Sequence, residues 1–268
     1  MSQNLLESPF PAVVMQPVYW GKGPKVFRSG RYQAIVDEKT NKLFSVVSTD
    51  YKLVRHEEAI EEIEKAIRAT PNLGGFEVTT DFYNDDGRML REYIFQDHQI
   101  LIQRGDLIKP KLQLFNSYDI TWPFTVILGA YRLLCTNGLV IGEKLFHLKK
   151  RHVFHFETLN LVGEISTALK RFSKQAEEWK KWTDVPLSKR ACGTILETMA
   201  LGKNGEDEIH NTMDQEAAGF DGENFPLVSL WIFFNILTGY LTHRAASLNH
   251  RVAMEGRLRK AMADFRRR

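Results

Sequence analysis

Apolar and polar residues alternate along much of the first half of the chain, and this period places successive side chains on opposite faces of a β-strand. Two such runs lie within residues 25–54 and are joined by a turn signal at 37–41. Further β-strands are predicted at 76–83, 89–96, 100–103, 111–118 and 124–141. The sequence NDDG at 84–87 predicts a hairpin turn between the first two of these.

A single helix interrupts the strands. Its apolar residues recur at helical spacing while glutamates fill the opposite face, and Pro71 ends it. The apolar positions are Ala59, Ile60, Ile63, Ala66 and Ile67.

The second half of the chain changes to a helical period. A first helix has its apolar stripe at Leu161, Ile165, Leu169, Phe172 and Ala176. Pro186 is expected to open a second helix, which ends near residue 202. A short helix is expected within residues 203–224, and a long helical region within 225–265, with a break near residue 243.

This order of elements predicts an α+β fold, with a β-rich N-terminal half, one helix packed on its sheet, and a helical C-terminal half. We divide the chain into an N-terminal arm (1–24), a β-rich core (25–156) and a helical region (157–268). The helical region is expected to pack on the core and to carry a basic C-terminal end.

The composition is that of an ordinary globular protein: of 268 residues, 43% are hydrophobic and 26% charged, and the formal net charge is +3. Two cysteines are too few for a disulfide framework or a metal-binding quartet. The N-terminus lacks the pattern of a signal peptide. The most apolar stretch, residues 227–241, is short for a membrane span, so we expect a buried helix. These features predict a cytoplasmic protein without a membrane partner.

The stretch 132–142 places an arginine and a cysteine in an apolar run that is split by Asn-Gly, the dipeptide preferred in two-residue hairpin turns. Cys135 is either an inward-facing structural residue or a catalytic thiol. The structural role is favoured, because no histidine adjacent in sequence is placed to lower its pKa. Arg132 needs a partner if it is buried, and either Asp119 or a bound phosphate fits that role.

Basic residues concentrate in a short segment after the strands and in the C-terminal helical region. Such segments either contact nucleic-acid phosphates or form a solvated face, and the C-terminal one also suits the acidic helix of a neighbouring subunit. The candidate nucleic-acid-binding residues, together with Arg132, are Lys149, Lys150, Arg151, Arg244, Arg251, Arg257, Arg259 and Lys260. A metal site at His152 and His155 is not expected, because an extended chain points the two rings to opposite faces.

The chain has no phosphate-binding glycine loop, nucleophile elbow, metalloprotease helix or zinc-ribbon cysteine pairing. We therefore predict no cofactor, no metal and no catalytic residue, and an enzyme is the third choice among functions.

Four short motifs resemble the phage/plasmid-like protein family known as domain of unknown function 932. They are YKLVRHEEA, LQLFNSYD, GAYRLLCTNGLVIG and LWIFFNILTGYLTH, in this order between residues 51 and 243. The matching residues are Tyr51, Lys52, Asn116, Ser117, Asp119, Arg132, Cys135, Asn137, Thr238, Tyr240, Thr242 and His243. The chain departs from the pattern at Ile120, where many members of the family carry glycine.

The resemblance implies a protein encoded by a phage or plasmid that acts in replication, recombination or counter-defence. With the basic segments, it makes our leading hypothesis a non-catalytic protein that binds single-stranded DNA and forms a homo-oligomer. The alternative is an interaction protein that binds and inhibits a host defence protein. Asn116, Asp119 and Asn137 are expected to form one polar cluster near the strand ends, together with Arg132.

Overall fold

A computed structural model of the protein describes residues 10–132, 141–150, 152, 159–219, 225–244 and 248–266. Only the backbone is described at residues 131, 132, 141–145, 248, 249, 251, 252, 259 and 266. The chain divides into two compact units. Unit 1 consists of Met1–Ile94, Leu112–Leu128 and Phe146–Thr167. Unit 2 consists of Phe95–Lys111, Gly129–Leu145 and Ala168–Arg268.

Unit 1 begins with a three-stranded antiparallel sheet of order β1-β2-β3. Its strands are β1 (Val13–Lys22), β2 (Lys25–Asp37) and β3 (Leu43–Ser48), so β1 lies within the segment predicted as the N-terminal arm. The turn predicted after β2 is confirmed. The Asp37 carboxylate accepts hydrogen bonds from Lys39 N at 3.0 Å and Thr40 Oγ1 at 2.7 Å, which closes the chain towards β3.

The second sheet has six strands in the order β4-β5-β7-β8-β9, with β6 paired to β7. These are β4 (Phe76–Tyr83), β5 (Arg88–Phe95), β6 (Ile100–Gln103), β7 (Asp106–Ser117), β8 (Phe124–Arg132) and β9 (Ile141–Lys150). The predicted strands are confirmed, although β7 begins earlier than the sequence pattern indicated. The predicted run 124–141 covers β8 and the first residue of β9, while the Asn-Gly turn and Cys135 lie outside the described residues.

The hairpin at 84–87 is confirmed as the connection between β4 and β5. Asn84, Asp85 and Asp86 all have positive φ, at 53°, 49° and 66°. Asn and Asp tolerate this left-handed conformation better than most residues, which explains why this sequence can form so tight a connection.

Helix α1 (His56–Ala69) ends before Pro71, as predicted, and buries the predicted stripe except Ile60, which is only partly buried. Glu64 joins the helix to β5 of the second sheet, because its carboxylate accepts a hydrogen bond from Arg91 Nη2 at 2.8 Å. The expected helix on the sheet is therefore present.

Five helices follow: α2 (Leu161–Trp182), α3 (Lys189–Met199), α4 (Lys203–Glu216), α5 (Leu230–Arg244) and α6 (Leu248–Arg266). The prediction that a helix opens at Pro186 is wrong. Pro186 forms a β-bridge with Ser229, and α3 begins after Ser188, whose Oγ accepts a hydrogen bond from Ala191 N at 3.3 Å.

The core of unit 2 is built around Trp231, which is 1% exposed. Its ring centroid lies 5.7 Å from that of Trp179, and its Nε1 donates to the buried Asp106 carboxylate at 2.7 Å. This hydrogen bond satisfies both polar groups inside an apolar core. The buried apolar helix predicted at 227–241 is confirmed for residues 230–241, which lie in α5, whereas Leu227 is exposed and precedes the helix. No described helix of the protein is long and apolar enough to cross a membrane. The fold is α+β, as predicted.

Candidate nucleic-acid interface

The far end of the first sheet is a two-stranded ribbon. Strand β3 pairs with β2 only from Tyr32 to Val36, so residues 19–22 and 25–28 pair only with each other among the described strands. We call this pair of segments the distal ribbon. Isolated two-stranded ribbons are marginally stable in water, because they have little apolar surface to bury.

A wide bulge separates the distal ribbon from the three-stranded part of the sheet. Pro17 pairs with Gln33 and Tyr19 pairs with Arg28, so four residues of β2 oppose the single Val18 of β1. The Ser29 hydroxyl within the bulge accepts hydrogen bonds from the backbone N–H of residues 31 and 32, at 3.2 and 3.1 Å. Bulges of this kind bend a strand and redirect its side chains.

The ribbon closes through Gly23 and Pro24. Gly23 has φ +61° and Pro24 has the fixed negative φ of its ring, which is the pattern of a type II′ hairpin turn. Gly21 has φ +149°, and a Cβ there would lie 1.9 Å from the Lys25 carbonyl oxygen. Glycine is therefore required at position 21 for the strands to approach each other.

Aromatic side chains cover the distal ribbon instead of being buried. Trp20 and Phe27 face each other across the strands, with ring centroids 5.2 Å apart, and are 64% and 52% exposed. Tyr19 is 60% exposed and lies on the opposite face, paired with Arg28. Large apolar side chains gathered at an exposed place mark an interaction surface more often than a scattered single residue does.

The ribbon is also strongly cationic. From residue 13 to residue 36 the chain contains no Asp or Glu and four basic residues, Lys22, Lys25, Arg28 and Arg31. All four are exposed. Lys22 and Lys25 are paired across the strands and share a face with Trp20 and Phe27, because residues two apart on a strand point the same way. One face of the ribbon therefore combines two ammonium groups with two aromatic rings.

The structure distributes the predicted basic residues between the two units. Lys149 and Lys150 are exposed at the end of β9 in unit 1. In unit 2, Arg244 Nε donates to the Glu208 carboxylate at 2.9 Å, Arg257 Nη1 donates to the Met199 carbonyl at 3.2 Å, and Lys260 is exposed. Arg151 and the side chains of Arg132, Arg251 and Arg259 lie outside the described part of the chain.

Asn116 and Asp119, expected in one polar cluster, have different environments. Asn116 is fully buried, and its Nδ2 donates to the Val54 carbonyl at 2.9 Å and to His56 Nδ1 at 3.0 Å. Asp119 lies at the end of the strand and binds Arg88 Nε at 2.6 Å and Asn84 Nδ2 at 2.8 Å. Asn137, the third expected member, is not among the described residues.

The Asp119 carboxylate is thus held by Arg88, a residue that sequence reasoning did not consider. Burial alone would raise the pKa of Asp119, but hydrogen bonds from Thr121, Arg88 and Asn84 outweigh it, so the pKa lies below its ordinary value. The carboxylate is therefore ionised at neutral pH and joins the β4–β5 hairpin to the end of β7.

His56, at the first position of α1, is a second residue that the sequence did not single out. Its ring lies 4.0 Å from that of Tyr118, its Nε2 is 3.2 Å from the Asp86 carbonyl, and Asn116 donates to its Nδ1. This arrangement assigns the proton to Nε2, which donates to Asp86. Burial, with a smaller effect of the nearby His152, lowers the pKa of His56 to about 4, against the opposing effect of the Asp86 hydrogen bond.

His152 is buried and stacks on Tyr51 with ring centroids 5.1 Å apart. The backbone of Trp122 and Lys52 lies near its ring, but neither ring nitrogen has a partner in good hydrogen-bonding geometry. Burial lowers the pKa of His152 to about 4 and raises that of the Tyr51 hydroxyl above its ordinary value. Both rings are therefore neutral at pH 7, and this cluster supports the fold of unit 1.

Residues 43–264 match the family described as Domain of unknown function (DUF932). The chain belongs to this family. The match includes the Asn116 and Asp119 region and all of the described helices except the last two residues of α6, but it excludes the distal ribbon. Searches of curated proteins and of solved structures gave no match to this protein.

A signal for the ribbon was present in the sequence. Residues 13–36 contain four aromatic residues, four basic residues and no acidic residue. This composition is typical of a surface on which bases stack and to which phosphates bind. For His56 there was no such signal, because a histidine at the start of an amphipathic helix has no distinctive spacing.

Proposed function

We propose that this protein binds single-stranded DNA through the distal ribbon, without catalysis, in the replication or recombination of a phage or plasmid. It does so in the cytoplasm of the host cell and as a homo-oligomer. The phage or plasmid setting rests on the resemblance of the four sequence motifs, and the ligand rests on the ribbon.

The exposed, acid-free combination of aromatic and basic side chains on the ribbon is the observation that carries the proposal. Proteins that bind single strands combine a cationic track for the phosphates with aromatic rings on which bases stack. Trp20 and Phe27 offer such rings, while Lys22 and Lys25 lie on the same face. A duplex hides the faces of its bases, so this arrangement favours a single strand.

The exposed Lys149 and Lys150 support the proposal as a second set of phosphate contacts in unit 1. The two lysines follow each other at the end of β9 and therefore point to opposite sides of the strand. We assign them a smaller contribution than the ribbon, because two lysines offer fewer phosphate contacts than the four basic residues of the ribbon and its bulge.

The proposal is tested by removing the ribbon's charge while a control variant loses the same charge elsewhere. Changing Lys22, Lys25, Arg28 and Arg31 to Gln takes the net charge from +3 to −1, since four positive charges are lost. We expect much weaker binding to a labelled oligothymidine and a salt dependence flatter by about three in slope, from the loss of four phosphate contacts. The measurement is fluorescence anisotropy at several salt concentrations.

The matched control changes four exposed basic residues of helices α2 and α3 to Gln, which gives the same net charge. These are Lys170, Lys174, Lys189 and Arg190. The control is expected to keep wild-type affinity. Equal losses of affinity for oligothymidine in the two variants would show that only the net charge of the protein matters. This result would contradict a binding site on the ribbon.

The ribbon also favours the second candidate function, binding to a host protein. Trp, Tyr and Arg are the residues most enriched at the centres of protein interfaces, and Tyr19, Trp20 and Arg28 lie together here. Wild-type protein that binds no oligonucleotide at low salt would overturn the DNA proposal and leave this alternative, the inhibition of a host defence protein.

A further inference from the structure

The bulge at the base of the distal ribbon forms a recess of about 590 Å³. The residues that line it include two aromatic residues, Trp20 and Tyr32, and two arginines, Arg28 and Arg31. Tyr32 is 53% exposed, so both rings are accessible to a ligand. Binding sites for small organic molecules have volumes of roughly 300–1,000 Å³, and one nucleotide falls within this range.

Gly30 is one of the residues that line the recess. It lies in the bulge with an ordinary backbone conformation, and a Cβ added there would meet no atom within 4 Å. A side chain at this position would therefore extend into open space without a clash. No strain or turn geometry requires glycine at 30, in contrast to Gly21.

The polar groups of the bulge suit a phosphate next to a base. Ser29 Oγ accepts hydrogen bonds from the backbone N–H groups of residues 31 and 32. The donors left for an anion are therefore the Ser29 hydroxyl and the side chains of Arg28 and Arg31. Guanidinium groups bind phosphate oxygens in a bidentate manner, and they also stack on bases. The residues lining the recess thus include two arginines and two aromatic residues.

We propose that the recess holds a single nucleotide, turned out of the bound strand. Its base stacks against Trp20 or Tyr32, and an adjoining phosphate is bound by Arg28 and Arg31. This inference rests on the proposed function, since the nucleotide belongs to the strand that the ribbon binds. It adds that binding depends on a base at this place and not only on phosphates.

The test uses the whole chain with Gly30→Val, which adds a branched side chain to the lining of the recess and leaves all four basic residues in place. Two labelled strands of about 12 nucleotides are compared, an oligothymidine and an abasic strand with the same number of phosphates. We expect Gly30→Val to weaken binding of oligothymidine about tenfold, because a stacked base is lost, and to leave the abasic strand unchanged. Gly30→Ala is expected to give a smaller effect in the same direction.

The control is Gly75→Val, at another glycine where an added Cβ meets open space and φ is ordinary. It is expected to bind both strands as wild type does. Thermal melts of the variants check that each is folded.

The outcomes separate this inference from the proposed function. Wild-type binding to oligothymidine with no effect of Gly30→Val, or with equal losses on both strands, overturns the nucleotide recess and leaves ribbon binding intact. Wild-type protein that binds neither strand overturns the proposed function and the recess with it.

Discussion

Ile120 occupies a backbone conformation that suits glycine. Its φ is +57°, which is unfavourable for a β-branched side chain, and the side chain is 56% exposed. The neighbouring Asp119 holds the turn by accepting hydrogen bonds from the N–H and Oγ1 of Thr121, at 3.1 and 2.5 Å. The departure noted in the sequence, isoleucine where many members of the family have glycine, thus falls at a position where the backbone favours glycine.

Ile120→Gly is therefore expected to stabilise the protein. A left-handed conformation costs a residue with a Cβ about 1–2 kcal/mol, while glycine loses roughly 0.5–1 kcal/mol through its freer unfolded chain. The net gain in the free energy of unfolding is about 0.5–1 kcal/mol, measured by urea denaturation. Leu101→Gly is the control, because Leu101 is similarly exposed at 52% but lies on a strand, and it should destabilise. A loss of stability in both variants would refute strain at Ile120.

At the scale of elements, the first sheet has two parts with different roles. The paired segments up to Pro17 and from Gln33 contribute Val13, Ile35 and Val47 to a buried cluster with Tyr118. The distal ribbon beyond the bulge contributes none of the buried core residues. The distal ribbon is therefore not needed for the core of unit 1.

Deleting residues 19–28 tests this division. Joining Val18 directly to Ser29 leaves a five-residue loop between Pro17 and Gln33, which is a common hairpin length. We expect a melting temperature within about 5 °C of wild type, because no buried side chain is removed. We also expect most of the binding to single-stranded DNA to be lost. A companion variant keeps the ribbon but replaces Trp20 and Phe27 by Ser.

The companion should retain part of the binding, through the ribbon's lysines and arginines. The deletion should retain less, because only Arg31, Lys149 and Lys150 remain of the assigned phosphate contacts. Unfolding of the deletion variant would show that the ribbon is part of the folding unit after all.

At the scale of the whole molecule, the two buried histidines make stability depend on pH. Histidine in the unfolded chain has a pKa of about 6.5, and in the folded protein the pKa of His56 and of His152 is lowered to about 4. Between these values the unfolded chain binds more protons than the folded one. The contribution of the two neutral histidines to the stability of the folded state is therefore complete above pH 6.5. It is lost as the pH falls towards 4.

The loss is on the order of 3 kcal/mol for each histidine, measured as the change in the free energy of unfolding by urea between pH 7 and pH 4. His152→Phe keeps the stacked ring on Tyr51 and removes two ring nitrogens without good partners, so it should unfold less readily in acid. His210→Gln, at an exposed residue of α4, should keep the wild-type dependence. If the free energy of unfolding of wild type and of His152→Phe depends on pH in the same way, the His152 ring does not contribute to that dependence.

Local features of the chain were determined by the sequence alone. The stripe of α1, the Asp37 turn and the positive φ of residues 84–86 all follow from spacing or from the preferences of single residues. The α+β class follows in turn from the order of such elements. The start of α3 already depended on a tertiary contact. Pro186 forms a β-bridge with Ser229, and the helix begins only after Ser188.

Contacts between distant residues were decided only by the tertiary structure. His56 and Asn116 are 60 positions apart, and Asp119 binds Arg88, 31 positions away. The cross-strand pairing of Trp20 with Phe27 depends on the register, and the recess at Gly30 depends on a bulge. Periodicity determines which face a side chain occupies within its own element, but not which element lies opposite. That choice is made by the packing of the whole chain, where many weak contacts are satisfied together.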